Sequence, residues 1–266
     1  MVAMAYHSIR VDQQGAVWRV VMNRPEVRNA HDLMMFDELG QAFGEVEASA
    51  ECRVAVLAAE GDVFCAGQDL RFTSSADAAQ MDAYGRANVA ARQRIQRNHK
   101  PVVAAVNGPA VGGGTYLATA CDLVVAAESA HFQMREIHAG NHAGGAFLFT
   151  VGRARSLELA LLGRRLSARQ ALDWGLINRC VPDAELAAAV DETVNALLEL
   201  PPLAVRYTKQ ATNLLLDAAG FSNHLEAGGA MQRYLALTPD GREAKRAFVD
   251  KRKPRFTGRF PRPAQD

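Results

Sequence analysis

Three short, nearly uncharged runs rich in Val and Ala, Val54 to Ala59, Pro101 to Val106 and Asp122 to Ala127, set the character of the first half of the chain. Their pattern predicts strands buried on both faces, as in a parallel sheet. Two further strand candidates, His7 to Asp12 and Ala16 to Met22, precede them and are joined at Gln13-Gln14-Gly15, which reads as a hairpin turn. Between the hairpin and the first run, Leu33, Phe36, Leu39, Phe43 and Val46 recur at helical spacing behind Asp32, a good N-cap residue. The segment from Ala76 to Asn98 is helical in pattern but polar, and Thr73 to Asp77 before it reads as a mobile loop near a site mouth. Strand and helix patterns alternate, which predicts a layered α/β core.

Beyond Gly140 the pattern becomes helix upon helix: Gly145 to Val151, Ser156 to Leu162, Ser167 to Trp174 with Ser167 as N-cap, and Ala184 to Leu200. Pro201-Pro202 interrupts it, and amphipathic segments follow from Leu203 to Ala218 and from Phe221 to Leu237, before a last helix ending near Lys253-Pro254. A C-terminal region with apolar faces to bury suggests subunit contact.

Two glycine-punctuated turns follow the strand-like runs, Phe64 to Leu70 and Asn107 to Gly114. Each leads into a segment able to start a helix, whose first N–H groups have no intrahelical acceptor. Such donors stabilise developing negative charge, and glycine lets a bulky ligand reach the main chain. The pair therefore suggests an oxyanion hole, with tight packing as the alternative for either turn alone. A phosphate loop is disfavoured, because Gly112-Gly113-Gly114 is followed by Thr115-Tyr116 and no G-x-G-x-x-G lies near it.

The 266 residues suffice for one large core, or a core with a small helical appendage. A net charge of +1 gives no support to a nucleic-acid surface. The four cysteines, Cys52, Cys65, Cys121 and Cys180, are scattered without metal-site spacing, and no apolar run reaches bilayer-spanning length. The expectation is a cytoplasmic protein in a reducing compartment, with no metal, no nucleic-acid partner and no membrane association.

Several separated segments, taken together, resemble the crotonase superfamily, also called the enoyl-CoA hydratase/isomerase family. They are Asn23 to Ala30, Phe64 to Leu70, Pro101 to Gly114, Ala120 to Leu123, and Arg242-Glu243 through Lys251 to Pro254. The resemblance covers essentially the whole chain. It implies an α/β crotonase fold with a repeated ββα superhelical core over 1–198 and a C-terminal helical trimerisation region over 199–266, assembled as a homotrimer or hexamer. It implies an acyl-CoA substrate whose thioester oxygen sits between the N–H groups of Gln68 and Gly113, coenzyme A being part of the substrate rather than a cofactor. For the coenzyme A moiety it points to Arg28, Ala30, Ala66, Asp69 and Leu70, with Phe248 and Lys251 completing the nucleotide site of a neighbouring subunit.

Hydratases of this family use two glutamates. The later one corresponds to Glu136, whereas Tyr116 stands where the earlier one would be. Single-carboxylate relatives isomerise enoyl-CoA esters by shuttling one proton, and feruloyl-CoA hydratase-lyase-like members also keep only the later glutamate. A non-catalytic acyl-CoA-binding protein is the alternative from another class. Tyr116, with a reference pKa near ~10, is a hydrogen donor or water anchor rather than a base. Of the two histidines near Glu136, His138 and His142, the latter is a candidate second acid or base; His31 reads as structural, and Cys65, among small apolar neighbours, reads as a packed thiol.

Overall fold

The computed structural model describes residues 6–258, apart from 144 and 146. The chain opens with strands β1 (Ile9–Gln14) and β2 (Val17–Met22), helix α1 (Leu33–Ala48), strand β3 (Val54–Ala59), and helices α2 (Leu70–Ser75) and α3 (Ala78–Gln96). Strand β4 (Val102–Val106), the two-residue β5 (Ala110–Val111), helix α4 (Gly113–Ala120), and strands β6 (Leu123–Ala127) and β7 (His131–Gln133) follow. After a 3-10 turn at Glu136–Ala139 come α5 (Leu148–Leu162), β8 (Leu166–Ser167), α6 (Ala168–Asp173), β9 (Arg179–Val181) and α7 (Leu186–Leu198). Three helices complete the described chain: α8 (Pro202–Ala218), α9 (Phe221–Leu237) and α10 (Pro239–Val249).

The main sheet has the order β1-β2-β3-β4-β6-β9, with β1 and β2 antiparallel and every later pair parallel. The runs read as doubly buried strands are so for a stereochemical reason. Successive side chains leave a strand on opposite faces, and here both faces are covered. Val54, Val56, Val103 and Val125 pack with Val190 and Val194 of α7, while Ala55, Leu57, Val102, Ala104 and Ala126 join the larger core with Phe36, Leu39 and Phe43 of α1. A small second sheet, β5-β7-β8, lies where the second glycine turn begins.

Several local expectations shift. The hairpin turn falls on Gly15 and Ala16, because Gln14 already pairs with Val17; Gly15 takes φ +57, as a two-residue hairpin requires. The expected loop at 73–77 is largely helical: Asp69 accepts from the amides of Arg71 and Phe72 and so starts α2, which runs to Ser75. Asp77 then caps α3 through a reciprocal box with Gln80. The two helices expected around 145–162 are both present within α5, separated at Gly152, whose φ of +73 and ψ of 168 are non-helical. Strands β5, β7, β8 and β9, only two or three residues each, were not anticipated because such lengths carry no periodicity.

The C-terminal helices fold back on the core. Lys209 of α8 donates to Asp122 (2.7 Å) and to the Lys100 carbonyl, Asn213 donates to the Gln96 carbonyl, and Arg97 pairs with Asp217. Helix α10 backs the 3-10 turn after β7 so closely that a Cβ on Gly140 would lie 2.8 Å from the Gly241 Cα. Leu203, Tyr207, Leu214 and Leu215 of α8 nevertheless stay exposed in the single chain. No helix among the described residues is long and apolar enough to cross a membrane.

Candidate active site

The segment 23–31 organises the first half of the site. Buried Asn29 accepts from the Arg24 amide and donates to the carbonyls of Glu60 and Val63, which fixes this loop along the strand that precedes the first glycine turn. Arg24 bridges Asp32 (2.8 Å) and Asp69 (3.1 Å), tying the caps of α1 and α2 together. Arg28 and Asn29 both take positive φ, and the Arg28 carbonyl accepts from the Ala66 amide. Arg28, Ala30 and Ala66 are thus brought to one edge, with Leu70 exposed at the start of α2. Asp69, by contrast, is buried and engaged as a cap and ion-pair partner, which gives it a role in holding this edge rather than a free carboxylate.

The two glycine turns run side by side. Cys65 and Ala110 form a parallel bridge in which the Cys65 amide donates to Pro109 and the Val111 amide to Cys65. A second bridge joins His31 and Gln68. Among the described residues, neither the Gln68 nor the Gly113 amide donates a backbone hydrogen bond. Gly113 is the first residue of α4, so its N–H has no partner within the helix and carries part of the positive end of the helix dipole.

The glycines at 112 and 113 are required by what approaches them. A Cβ on Gly113 would collide with the His31 ring, and one on Gly112, whose φ is +54, would lie 2.8 Å from Glu136 Oε1. The same contacts locate two side chains. His31 is buried with Nδ1 3.0 Å from the Tyr84 hydroxyl and Nε2 unpartnered; burial pushes it down to about 3, so it is neutral. It is a structural ring, as expected, but one that lies directly against a candidate donor.

Glu136 begins the 3-10 turn and lies beside Gly112. Its Oε2 is buried without a hydrogen-bond partner. Burial pushes the carboxyl up to about 7, against the opposing pull of the Glu136 and Arg135 amides and the positive charge of Arg92. Tyr116, one turn into α4, stacks on Phe147 with ring centroids 5.3 Å apart and planes 9° from parallel. Arg92 of α3 sits over the Tyr116 ring, its guanidinium carbon 4.4 Å from the centroid. The Arg92 charge acts on Tyr116, Glu136 and Tyr84, so the three lie within electrostatic reach of it.

Other candidates fall outside that group or lack the needed chemistry. Burial pushes the Cys65 thiol up to about 12, the reverse of an activated nucleophile. His142 Nε2 is 2.5 Å from the Gly228 carbonyl, so this imidazole ties the segment after the 3-10 turn to α9. Phe248 is exposed near the end of α10 and Lys251 follows with φ +51; both lie outside the contacts described above. Close to them a cavity of about 850 Å³ is lined by Arg242, Arg246, Arg252, Lys253 and Arg255, with Glu243 paired to Arg252.

The sequence reading missed Arg24, Asn29, Tyr84, Arg92 and Phe147. Tyr84, Ala91 and Ile95 are the buried stripe of α3, and their spacing marks its inward face; Arg92 flanks that stripe. Phe147 lies in a segment whose helical pattern gave no hint of its stacking partner.

A family model described as enoyl-CoA hydratase/isomerase matches residues 12–259. The 1,2-epoxyphenylacetyl-CoA isomerase of Escherichia coli K12 is 36% identical over 252 residues, covering 91% of this chain and 95% of that protein. The carnitinyl-CoA dehydratase of Proteus mirabilis is 31% identical over 262 residues, covering 95% and 99%. Among solved structures, an enoyl-CoA hydratase/isomerase from Xanthobacter autotrophicus Py2 superimposes with a TM-score of 0.86 at 29% identity, covering 96% of this chain and all of that one. A carnitinyl-CoA hydratase from Mycobacterium avium gives 0.81 at 31% identity, over 95% and 99%. With the family model spanning nearly its whole length and such relatives alike in sequence and backbone, the chain belongs to the enoyl-CoA hydratase/isomerase family and has the crotonase fold.

Proposed function

We propose that the protein is a CoA-thioester isomerase that moves one proton along the acyl chain, with Glu136 as the carrier. The observation that carries this reading is the packing of Tyr116. The ring stacks with Phe147 and has Arg92 over it, so the position of a second carboxylate is occupied by an aromatic stack, and Glu136 alone remains to move protons.

The chemistry follows from the parts. A thioester oxygen held by the Gln68 and Gly113 amides accepts charge from the α-carbon, which acidifies the α-proton. In a 3-enoyl ester the Glu136 carboxylate takes that proton, leaving a dienolate with its charge on the thioester oxygen. The resulting carboxylic acid returns the proton to the γ-carbon, the double bond moves to the 2-position, and no atom is gained or lost. A carboxyl that titrates at about 7 suits both halves of the shuttle, because neither protonation state is strongly favoured at neutral pH. Arg28, Ala30, Ala66 and Leu70 border the coenzyme A path, Asp69 holding that edge in place, while Phe248 and Lys251 serve a neighbouring copy. The exposed apolar residues of α8 support a homotrimer or hexamer. The likeness to an epoxyphenylacetyl-CoA isomerase supports isomerase chemistry, and the likeness to a carnitinyl-CoA dehydratase keeps water addition or loss as the rival.

Incubation with 2-enoyl- and 3-enoyl-CoA esters in deuterated water separates these readings. A shifted double bond is the expected result, with deuterium on carbon in the share of turnovers in which the Glu136 carboxyl exchanges with solvent before it returns the proton. Gain of water identifies a hydratase, and tight binding without exchange or turnover identifies a non-catalytic binder; either overturns the proposal.

A further inference from the structure

We infer that Arg92 forms an anion subsite at the acyl end of the pocket, and that the preferred acyl group carries a second carboxylate. The inference rests on the reading of this pocket as an acyl-CoA site and names its substrate class.

Arg92 differs from two ion-paired arginines. Arg24 pairs with Asp32 and Asp69, and Arg97, at the end of the same helix, pairs with Asp217. Arg92 makes no ion pair among the described residues, and its Nε is buried with no acceptor. What it has is an aromatic platform: Tyr116 beneath the guanidinium at 4.4 Å, itself backed by Phe147. A cation–π contact of this kind offsets only part of the desolvation of a half-buried guanidinium whose Nε has no acceptor. The deficit is removed when a counter-charge enters the pocket.

Glu136 does not supply that counter-charge directly. Its Oε2 is also buried and unpartnered, and no ion pair joins it to Arg92. Glu136, able to move a proton, and Arg92, a fixed cation, each keep a buried polar atom without a partner and form no ion pair with each other. An acyl chain lying between them would present its reacting carbons to Glu136 and its far end to Arg92. The guanidinium over Tyr116 is planar, and its edge carries paired N–H donors in the geometry that a carboxylate accepts. A methyl end would leave the charge unpaired, and a trimethylammonium end would meet a like charge.

Binding of saturated esters tests this without any turnover, since they have no double bond to shift. Affinities by titration calorimetry are compared within matched pairs of four to six acyl carbons, one member ending in carboxylate and one in methyl; glutaryl-CoA against valeryl-CoA is the central pair. At least one carboxylate-ended ester is expected to bind about tenfold more tightly than its partner, the scale of a hydrogen bond to a charged group. That preference should collapse towards parity in Arg92→Gln and be partly retained in Arg92→Lys. Equal affinities in every wild-type pair, or a preference unaltered in a folded Arg92→Gln protein, overturns the subsite. Should Arg92→Gln fail to fold, the wild-type pairs and Arg92→Lys decide, and a trimethylammonium-ended ester binding as well as the carboxylate also overturns it. These outcomes are independent of the deuterium experiment: the proton shuttle can fail while the binding preference stands, and the reverse.

Discussion

The candidate site has two parts built in different ways. On one side are main-chain amides: Gln68 and Gly113, fixed by the paired glycine turns and the His31 ring. On the other are side chains: Glu136, Tyr116 and Arg92, held by packing and stacking. A main-chain donor survives almost any side-chain change at its own position except one that adds a Cβ in the wrong place. A side-chain acid, cation or platform is exchanged by a single substitution. Under the proposed function the amide side holds the intermediate, and the side-chain side chooses one reaction over another.

Substitutions can be ranked by how deeply they cut into this division. The largest loss is expected from Glu136→Gln, about a thousandfold in kcat with CoA-ester binding retained. The same variant should be more stable than the wild type at pH 8. The native carboxyl is raised to about 7, so the folded wild type holds the proton that the unfolded chain releases above its ordinary value of 4.5. Stability is lost as pH rises between those values, by up to about 3 kcal/mol, and glutamine escapes that loss. Denaturant melts at pH 4 and pH 8 should show a gain only at the higher pH.

Gly113→Ala is the matching cut on the amide side. Its Cβ meets the His31 ring, so the amide must shift, and kcat/KM should fall about a hundredfold. A near-normal rate would show that the Gly113 amide is not a donor to the substrate. A smaller effect should appear in the pH profile. With the carboxylate as the base, kcat should rise with pH through a midpoint near 7 and then level off, and Arg92→Gln should move the midpoint upward by removing a stabilising cation. The smallest change is expected from Tyr116→Phe, which keeps the stack on Phe147 and under Arg92, with less than about a fivefold loss. A loss as large as that of Glu136→Gln would make the hydroxyl, not the ring, the working part of Tyr116.

Much of the fold was legible from pattern alone. The runs at 54–59, 101–106 and 122–127 are strands buried on both faces, α1 starts at the Asp32 cap, and Pro201-Pro202 precedes α8. The misplaced features are short or depend on contact. Asp69 converts an expected loop into α2 by satisfying two amides, which composition did not announce. Strands β5 and β7 exist because Ala110 and Val111 meet Phe132 and Gln133, a pairing between residues distant along the chain.

By itself the sequence determined which stretches of backbone the proposed chemistry can draw on. Glycine in two strand-to-helix turns leaves amides without acceptors, and that is a local property of the chain. It also determined that Glu136 stands without a second glutamate at position 116. Only the tertiary structure decided what fills that place and how Glu136 titrates. Stacking of Tyr116 between α3 and Phe147, the seating of an unpaired Arg92 and the burial of the carboxylate all depend on surfaces brought together across the fold. Desolvation and charge act through space, so they belong to the packed molecule rather than to the order of its residues.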